Sequence, residues 1–482
     1  MPRVRVFRWA GYFLISMVGL VVLGIGVAST PSFKNWLRGL AVQQAAAAID
    51  GEVQIGGLSG SLWHDVTLSD VVIRQGGVSM LTVRSLTAKY DALQLIRGHF
   101  DISELEIVSP AIALVEDAAG WNVSRLIRTK SAPEPSAPRA ISVGRVKVSG
   151  GDVTVAALDR PVEHIAGVDL EAAVNYAPPA TAVRLAKFTA RDVRTGLLIA
   201  NLTTNVRADD KGLSVTDLSL VTPASSLAGR ASYQWATAST TLAAVDVALD
   251  VRAATVDEFR AYLPEGIASH LVFTGTLATK GPLNVLKTTW ALSSAAGAVT
   301  GDVTADVSRT AQSVLPIDGV VTVDRLDLAP LSGRADLASQ LTARVTLRAD
   351  LNTAAPTTSH ATFSVDAPEA AILGYAASNV RASGSFDAGT LRVTGDAAAY
   401  GAWASFNAAV RGVGGDGAMP ISVSGRARHL DLRRLPAALT VPRLATDVSG
   451  RYALSLTSGS WRAELTAEET RVEDAVIAAG TH

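Results

Sequence analysis

Residues 244 to 253 read AVDVALDVRA, with Val245, Val247, Leu249, Val251 and Ala253 on one parity and Asp246, Ala248, Asp250 and Arg252 on the other. A period of two sends successive side chains to opposite faces of a strand, whereas a helix of 3.6 residues per turn would scatter them around its circumference. The stretch is therefore a strand with one apolar and one wet side. The pattern returns as Val345, Leu347, Ala349 and Leu351 against Thr346, Arg348 and Asp350. It returns again as Ala361, Phe363, Val365 and Ala367, and as Trp461, Ala463, Leu465 and Ala467 against Arg462, Glu464, Thr466 and Glu468. Helical spacing beyond residue 50 is brief, the best candidates being Trp121 to Ile127 and Val256 to Leu263. The expected fold is all-β: a long, curved sheet with short helical inserts, in which residues 50 to 482 supply roughly 25 to 30 strands.

Two short words recur. The first is an apolar residue, a small residue, Gly and a polar residue, as in Leu58-Ser59-Gly60-Ser61, Leu227-Ala228-Gly229-Arg230 and Phe273-Thr274-Gly275-Thr276. Val299-Thr300-Gly301-Asp302, Leu331-Ser332-Gly333-Arg334, Val393-Thr394-Gly395-Asp396, Val423-Ser424-Gly425-Arg426 and Val448-Ser449-Gly450-Arg451 repeat it. Gly inside or beside a strand marks a bulge, a bend or a close backbone approach, as a repeatedly curving sheet requires. The second word is Leu326-Asp327-Leu328-Ala329-Pro330-Leu331, echoed at Leu430 to Pro436 and more loosely at Val256 to Pro264. Its irregular spacing excludes a strict solenoid such as a leucine-rich repeat.

Composition narrows the class. The chain has 482 residues, 48% of them hydrophobic, 18% charged and 5% aromatic, with a net charge of -1 and no Cys. Charge below the roughly 25% of ordinary soluble domains, at high apolar content, argues against disorder and points to apolar surface facing lipid or a ligand. A near-neutral chain without a long basic block lacks the electrostatic footprint of a nucleic-acid binder. The absence of Cys excludes disulfides and thiolate chemistry, and suits an oxidising compartment.

Residues 10 to 28, AGYFLISMVGLVVLGIGVA, carry no charge over a length close to a bilayer core. Phe13, Leu14, Ile15, Val18, Leu20, Val21, Val22, Leu23 and Ile25 supply the apolar surface, with Trp9 and Tyr12 placed as an interfacial belt. Arg3, Arg5 and Arg8 precede the stretch and put the N-terminus in the cytoplasm by the positive-inside rule, so the bulk of the chain is exported. The stretch reads as an uncleaved anchor in preference to a signal peptide cut near Gly26-Val27-Ala28, because it exceeds the roughly 7 to 15 apolar residues of a signal core. After Thr30-Pro31, Phe33, Trp36, Leu37 and Leu40 share one helical face, which either packs on the first strands or rests on the outer leaflet with Lys34 and Arg38 at the headgroups. The expected organisation is a cytoplasmic tail (1–8), an anchor (9–29), an amphipathic helix (30–49) and a membrane-proximal β region (50–128). A Pro-rich linker (129–140, with SAPEPSAP at 131–138) and a repetitive β region (141–482) complete it.

The order of anchor, amphipathic helix, GEVQIGGLSGS at 51–61, Leu68-Ser69-Asp70-Val71 and DAAGWN at 117–122 resembles the N-terminal portion of the TamB and AsmA-like proteins. Both recurring words resemble the degenerate repeats of that family. The resemblance implies an inner-membrane-anchored periplasmic protein whose sheet folds along its length into an apolar groove, a bridge for phospholipid between the two membranes. It also implies a link to outer-membrane protein assembly through an Omp85-type barrel partner. Members of the TamB kind are longer, so a truncated chain or a short relative is expected.

The sequence holds no recognisable catalytic or metal-binding constellation. His64, His99, His164, His270, His360, His429 and His482 are scattered, with no pair at metal-ligand spacing. Ser59 and Ser383 lie beside Gly without completing a G-x-S-x-G elbow, and no phosphate-binding Gly loop is present. Asp209 and Asp210 read as solvated turn residues, and Asp257, Asp327 and Asp431 as structural turn residues. No cofactor, metal or catalytic role is expected. The expectation is a lipid conduit with Val245, Val247, Leu249, Val251, Val345, Leu347, Leu351, Phe363, Val365, Trp461 and Leu465 as lining candidates. The alternatives are a scaffold for outer-membrane protein assembly and a secreted β-solenoid adhesin; a transmembrane barrel is disfavoured by the missing aromatic girdles.

Overall fold

The computed structural model describes residues 51–477 apart from 62, 97–99, 118–119, 127–139, 159–160, 238–241, 263–269, 414–418, 437–440, 458–459, 469 and 474, together with Arg38, Gly39 and Gln43. The anchor stretch, the face of Phe33, Trp36, Leu37 and Leu40, and the Pro-rich 131–138 lie outside the described residues. Among the described residues no helix is long and apolar enough to cross a membrane. Strands make up 72% of the structure, so the all-β expectation holds. Both brief helical candidates are present, as an α-helix at Asn122–Leu126 and a 3-10 helix at Val256–Tyr262. The chain divides into two compact units, Met1–Pro223 and Ala224–His482.

In the first unit Glu52–Ser59, Asp65–Gln75, Val78–Tyr90 and Phe100–Asp117 pair antiparallel in turn. Phe100–Asp117 then pairs in parallel with Ile141–Ala156, so the strands on either side of the Pro-rich segment are direct neighbours. A parallel neighbour needs a crossover rather than a tight turn, which accounts for a long connection at this point. From Ile141–Ala156 onward, Glu163–Ala177, Ala180–Asp192, Asn201–Ala208 and Gly212–Val221 are antiparallel again. Asp70 adopts a left-handed backbone (φ 51), and there the apolar series changes parity, from Val66 and Leu68 to Val71 and Ile73. Arg38 donates a guanidinium hydrogen bond to the Gly56 carbonyl at 2.7 Å, tying residue 38 to the first strand.

The second unit is a meander. Fourteen strands, from Ser226–Gln234 to Ser460–Ala467, each pair antiparallel with the next. Consecutive pairing needs only short turns, and at about 4.8 Å per strand the fourteen span roughly 60 Å. No pairing joins the first of these strands to the last among the described residues, so the sheet is open. Bulges near one end of three strands each contain one left-handed residue: Arg325 (φ 48), Asn379 (φ 50) and His429 (φ 61). A bulge bends the strand and redirects the chain.

The buried core is small and unevenly placed. Val53, Val71, Ile73, Met80 and Val83 are buried in the first unit. In the second unit the buried apolar residues are Ala243, Ala296, Ala349, Ala367, Ala402, Val256 and Leu271, and only the last two carry large side chains. Apart from the short inserts Val256–Tyr262 and Leu328–Ser332 at one margin, no second layer covers that sheet among the described residues.

Candidate functional site

Residues directly opposite one another in an antiparallel ladder project to the same face, so the register itself assigns every side chain to a side. One row crosses all fourteen strands: Gly229, Leu249, Leu277, Trp290, Gly301, Val321, Val345, Val365, Ala382, Gly395, Phe406, Gly425, Tyr452 and Leu465. The next row on the same face runs from Ala231 and Val247 through Thr279, Thr288, Val303, Gly319, Leu347, Phe363, Gly384 and Val393 to Ala408, Val423, Leu454 and Ala463. Neither row contains a charge. Their hydroxyls are all engaged: Thr279 and Thr288 stand opposite each other and hydrogen-bond at 3.1 Å, and that of Tyr452 donates to the Ser405 carbonyl at 3.0 Å.

The sequence candidates fall on this face together. Val247 and Leu347 share the second row with Phe363, Leu249, Val345, Val365 and Leu465 share the first, and Val245 and Val251 flank them on the same strand parity. Leu351 pairs with Leu315, and Trp461 holds the register position opposite Leu456. Along Arg344 to Asp350 and His360 to Asp366 the apolar parity is half-buried or buried while the polar parity is exposed, so on these strands the apolar side is the sheltered one, whereas Leu454 and Leu465 of the same face, on the last strands, are exposed. Burial also pushes the Tyr452 hydroxyl above its ordinary pKa. The alternation does not run to the end of every strand: in Ala244–Thr255 a register shift falls between Val251 and Ala254, so Ala253 leaves the series.

Glycines on the apolar face, some of them in the recurring word, have a steric meaning that the sequence did not reveal. In Gly301 an added Cβ would stand 2.1 Å from the Trp290 ring, in Gly384 2.4 Å from the Phe363 ring, and in Gly395 2.8 Å from the Phe406 ring. Each aromatic therefore lies across the glycine opposite it, covering bare backbone instead of standing out from the face. Tyr452 also reaches across its neighbour, its hydroxyl lying 2.8 Å from where a Cβ on Gly425 would stand. The detectable signal was a glycine and an aromatic on matching parities of successive strands. The other copies of the word do other work: at Gly229, Gly275 and Gly450 the close approach is to the backbone of the neighbouring strand, Gly333 is the left-handed C-cap (φ 68) of the helix Leu328–Ser332, and Gly60 (φ 97) ends the first strand.

The leucine-aspartate word is a capping device. Asp327 accepts hydrogen bonds from the amides of Ala329 (3.0 Å) and Ser339 (2.9 Å), while Ser339 Oγ accepts from Leu328 N at 2.7 Å. Asp431 caps Leu432–Arg434 in the same manner, accepting from Arg433 N at 3.1 Å, and Thr446 Oγ1 takes the place of Ser339 by accepting from Leu432 N at 2.9 Å. Hydrogen bonds from the Arg433 side chain lower the Asp431 carboxyl to about 2. Asp257 pairs with Arg260 at 3.0 Å and with His270. Asp327 and Asp431 are thus tied into turns, as expected from sequence, whereas Asp257 lies within the 3-10 helix Val256–Tyr262 and holds the side chains of Arg260 and His270.

The opposite face is wet and charged. Arg348 pairs with Asp318 at 2.8 Å, Lys287 with Asp302 at 2.9 Å and Lys280 with Asp246 at 3.4 Å, all between neighbouring strands and all exposed. Such pairs contribute at most about 1 kcal/mol each, and they keep this side in water. His164, His270, His360 and His429 each contact one Asp, and no Ser or Thr hydroxyl completes a triad with them among the described residues. Ser383 faces Thr394 across the ladder at 3.4 Å, as a strand serine. No cluster of three potential metal ligands occurs among the described residues.

No protein-family model matches the chain, and neither curated proteins nor solved structures include a significant match.

Proposed function

We propose that the protein is a non-enzymatic conduit that carries phospholipid between the inner and outer membranes along an apolar β-groove, contributing to outer-membrane biogenesis. The observation that carries this reading is the pair of charge-free rows that cross fourteen strands without a covering layer. An ordinary sheet buries its apolar side against a second layer, and an uncovered apolar face this wide marks a surface that meets another apolar body. Acyl chains suit it. They need only apolar contact, at about 0.8 kcal/mol per buried CH2, and the two rows offer no charge at which a headgroup would stop. Rings folded down over glycines keep the lining low, so a chain can pass from strand to strand. The tether would be the stretch 10–28, with the N-terminus cytoplasmic and the bulk in the periplasm.

The test is a double substitution in one row, Val247→Asp with Leu347→Asp, read by photocrosslinking of phospholipid to the chain in membranes. Both side chains are only half-buried, so the fold should persist while lipid crosslinking beyond the charges is lost. Unchanged crosslinking in a folded, exported variant would sink the conduit.

A second reading is a scaffold that templates outer-membrane protein strands with an Omp85-type partner. It is favoured by one feature: Ser460–Ala467 pairs with a single neighbour among the described residues, and its Leu465 is exposed. An open strand of this kind accepts another by β-augmentation. Capture of a client strand by a lipid-free chain would favour it.

A further inference from the structure

The strands Ala244–Thr255 and Val314–Leu326 run in the same direction with three strands between them, so the inserts that follow them leave from the same margin of the sheet. These inserts, Val256–Tyr262 and Leu328–Ser332, turn toward each other over the apolar face. Val256, which opens the first insert, is buried with Leu271 and Ala296, and Phe273 and, from the second insert, Leu331 pack against that cluster. Between inserts and sheet lies a cleft of about 690 Å³. Its wall is Val251, Phe273 and Leu292; its roof is Phe259, Leu328 and Leu331.

The cleft offers almost nothing to a polar ligand. Two of its lining residues carry hydroxyls, and both are spent on the backbone: Thr255 donates to the Ala224 carbonyl at 3.0 Å and Ser332 to the Leu328 carbonyl at 2.7 Å. The nearby acids serve as ties. Glu258 accepts from Ala224 N and from Ser225 Oγ, and Asp327 accepts from two amides. No charged residue lines the cavity. Apolar cavities hold water poorly and take up hydrocarbon instead, and this volume falls within the range of about 300 to 1,000 Å³ usual for ligand sites. Val251 and Leu292 belong to the apolar face, so the cleft is continuous with it.

We propose that this cleft holds one acyl chain of a phospholipid as a resident ligand, with the headgroup left outside in water. The proposal rests on the conduit reading and adds a fixed station to it: elsewhere on the face a lipid is covered on one side only, whereas here the inserts close over its tail.

The experiment uses the full chain and vesicles of phosphatidylglycerol carrying a diazirine at the end of one acyl chain, with labelled peptides mapped by mass spectrometry after photolysis. The expected result is labelling of 256–262 and 328–337. Leu331→Trp, which fills the cleft, should lower that labelling about tenfold while strands bearing Phe363 and Leu454 remain labelled. Leu337→Glu, a charge on a half-buried lining residue of the short turn Ala335–Leu337, provides the same test if the bulkier variant misfolds. Labelling of the distant strands with none in the cleft, or cleft labelling unchanged in both variants, overturns the resident site and leaves the conduit standing. Labelling by diazirine-tagged palmitate but not by the phospholipid overturns the assignment of the ligand. Absence of labelling anywhere overturns both readings.

Discussion

The strands at Glu52–Tyr90 and those of the second unit are written in the same kind of text, yet they end differently. In the first region Val53, Val71, Ile73, Met80 and Val83 are buried, and Val83 is only 4% exposed. In the second, the rows through Val247 and Leu249 stay half-open, and Leu454 is 46% exposed on the same face. Alternation decides which face is apolar; it does not decide whether anything covers it. The first region uses its apolar side to hold itself together, and the second keeps its apolar side available. Cross-strand hydrogen bonds and ring-over-glycine contacts, rather than a deep core, then hold the second unit's sheet.

That contrast can be broken at several points. The largest effect is expected from Val83→Asp, which buries a charge and should cost about 4 kcal/mol or more in urea denaturation, whereas Leu454→Asp should stay within about 1 kcal/mol. Equal costs at the two sites would erase the difference between the regions. Next, Gly301→Ala should cost about 2 kcal/mol because its Cβ meets the Trp290 ring, and clearly less in a Trp290→Leu background. An undiminished cost in that background would show that the ring is not what the glycine accommodates. Asp327→Ala should cost about 1 kcal/mol through loss of the helix cap, measurable as a lowered melting temperature.

The smallest effect is a pH dependence at Asp431. Its carboxyl lies below the ordinary value of 3.8, at about 2, so the folded state favours the ionised form. The associated stabilisation is complete above about 4 and is lost as pH falls through about 2. An Asp431→Asn variant should show a flatter stability curve across that window, and a curve identical to that of the parent chain would remove the cap from the account.

Most of the second unit's sheet was legible because its strands keep one parity over long runs, as at Val345 to Leu351. The first unit was harder to read because the apolar series shifts parity at Asp70, where a left-handed residue interrupts the pleat. The parallel pairing of Phe100–Asp117 with Ile141–Ala156 was not legible at all, since a Pro-rich connection looks the same whether it separates domains or joins neighbours. On the candidate face, the lining residues could be named individually, but their union into rows depends on register, which turn lengths and bulges set. The role of Gly301 and Gly384 was hidden for the same reason: each glycine acquires its aromatic only when the next strand is laid beside it.

The face is proposed to stay apolar and open in order to carry lipid. Native mass spectrometry with lipid extraction, on the full chain purified from membranes in mild detergent, tests it most directly. Several phospholipids bound per chain are expected. A folded chain that comes through without lipid would contradict this proposal, and would mean that the apolar rows are reserved for another protein surface.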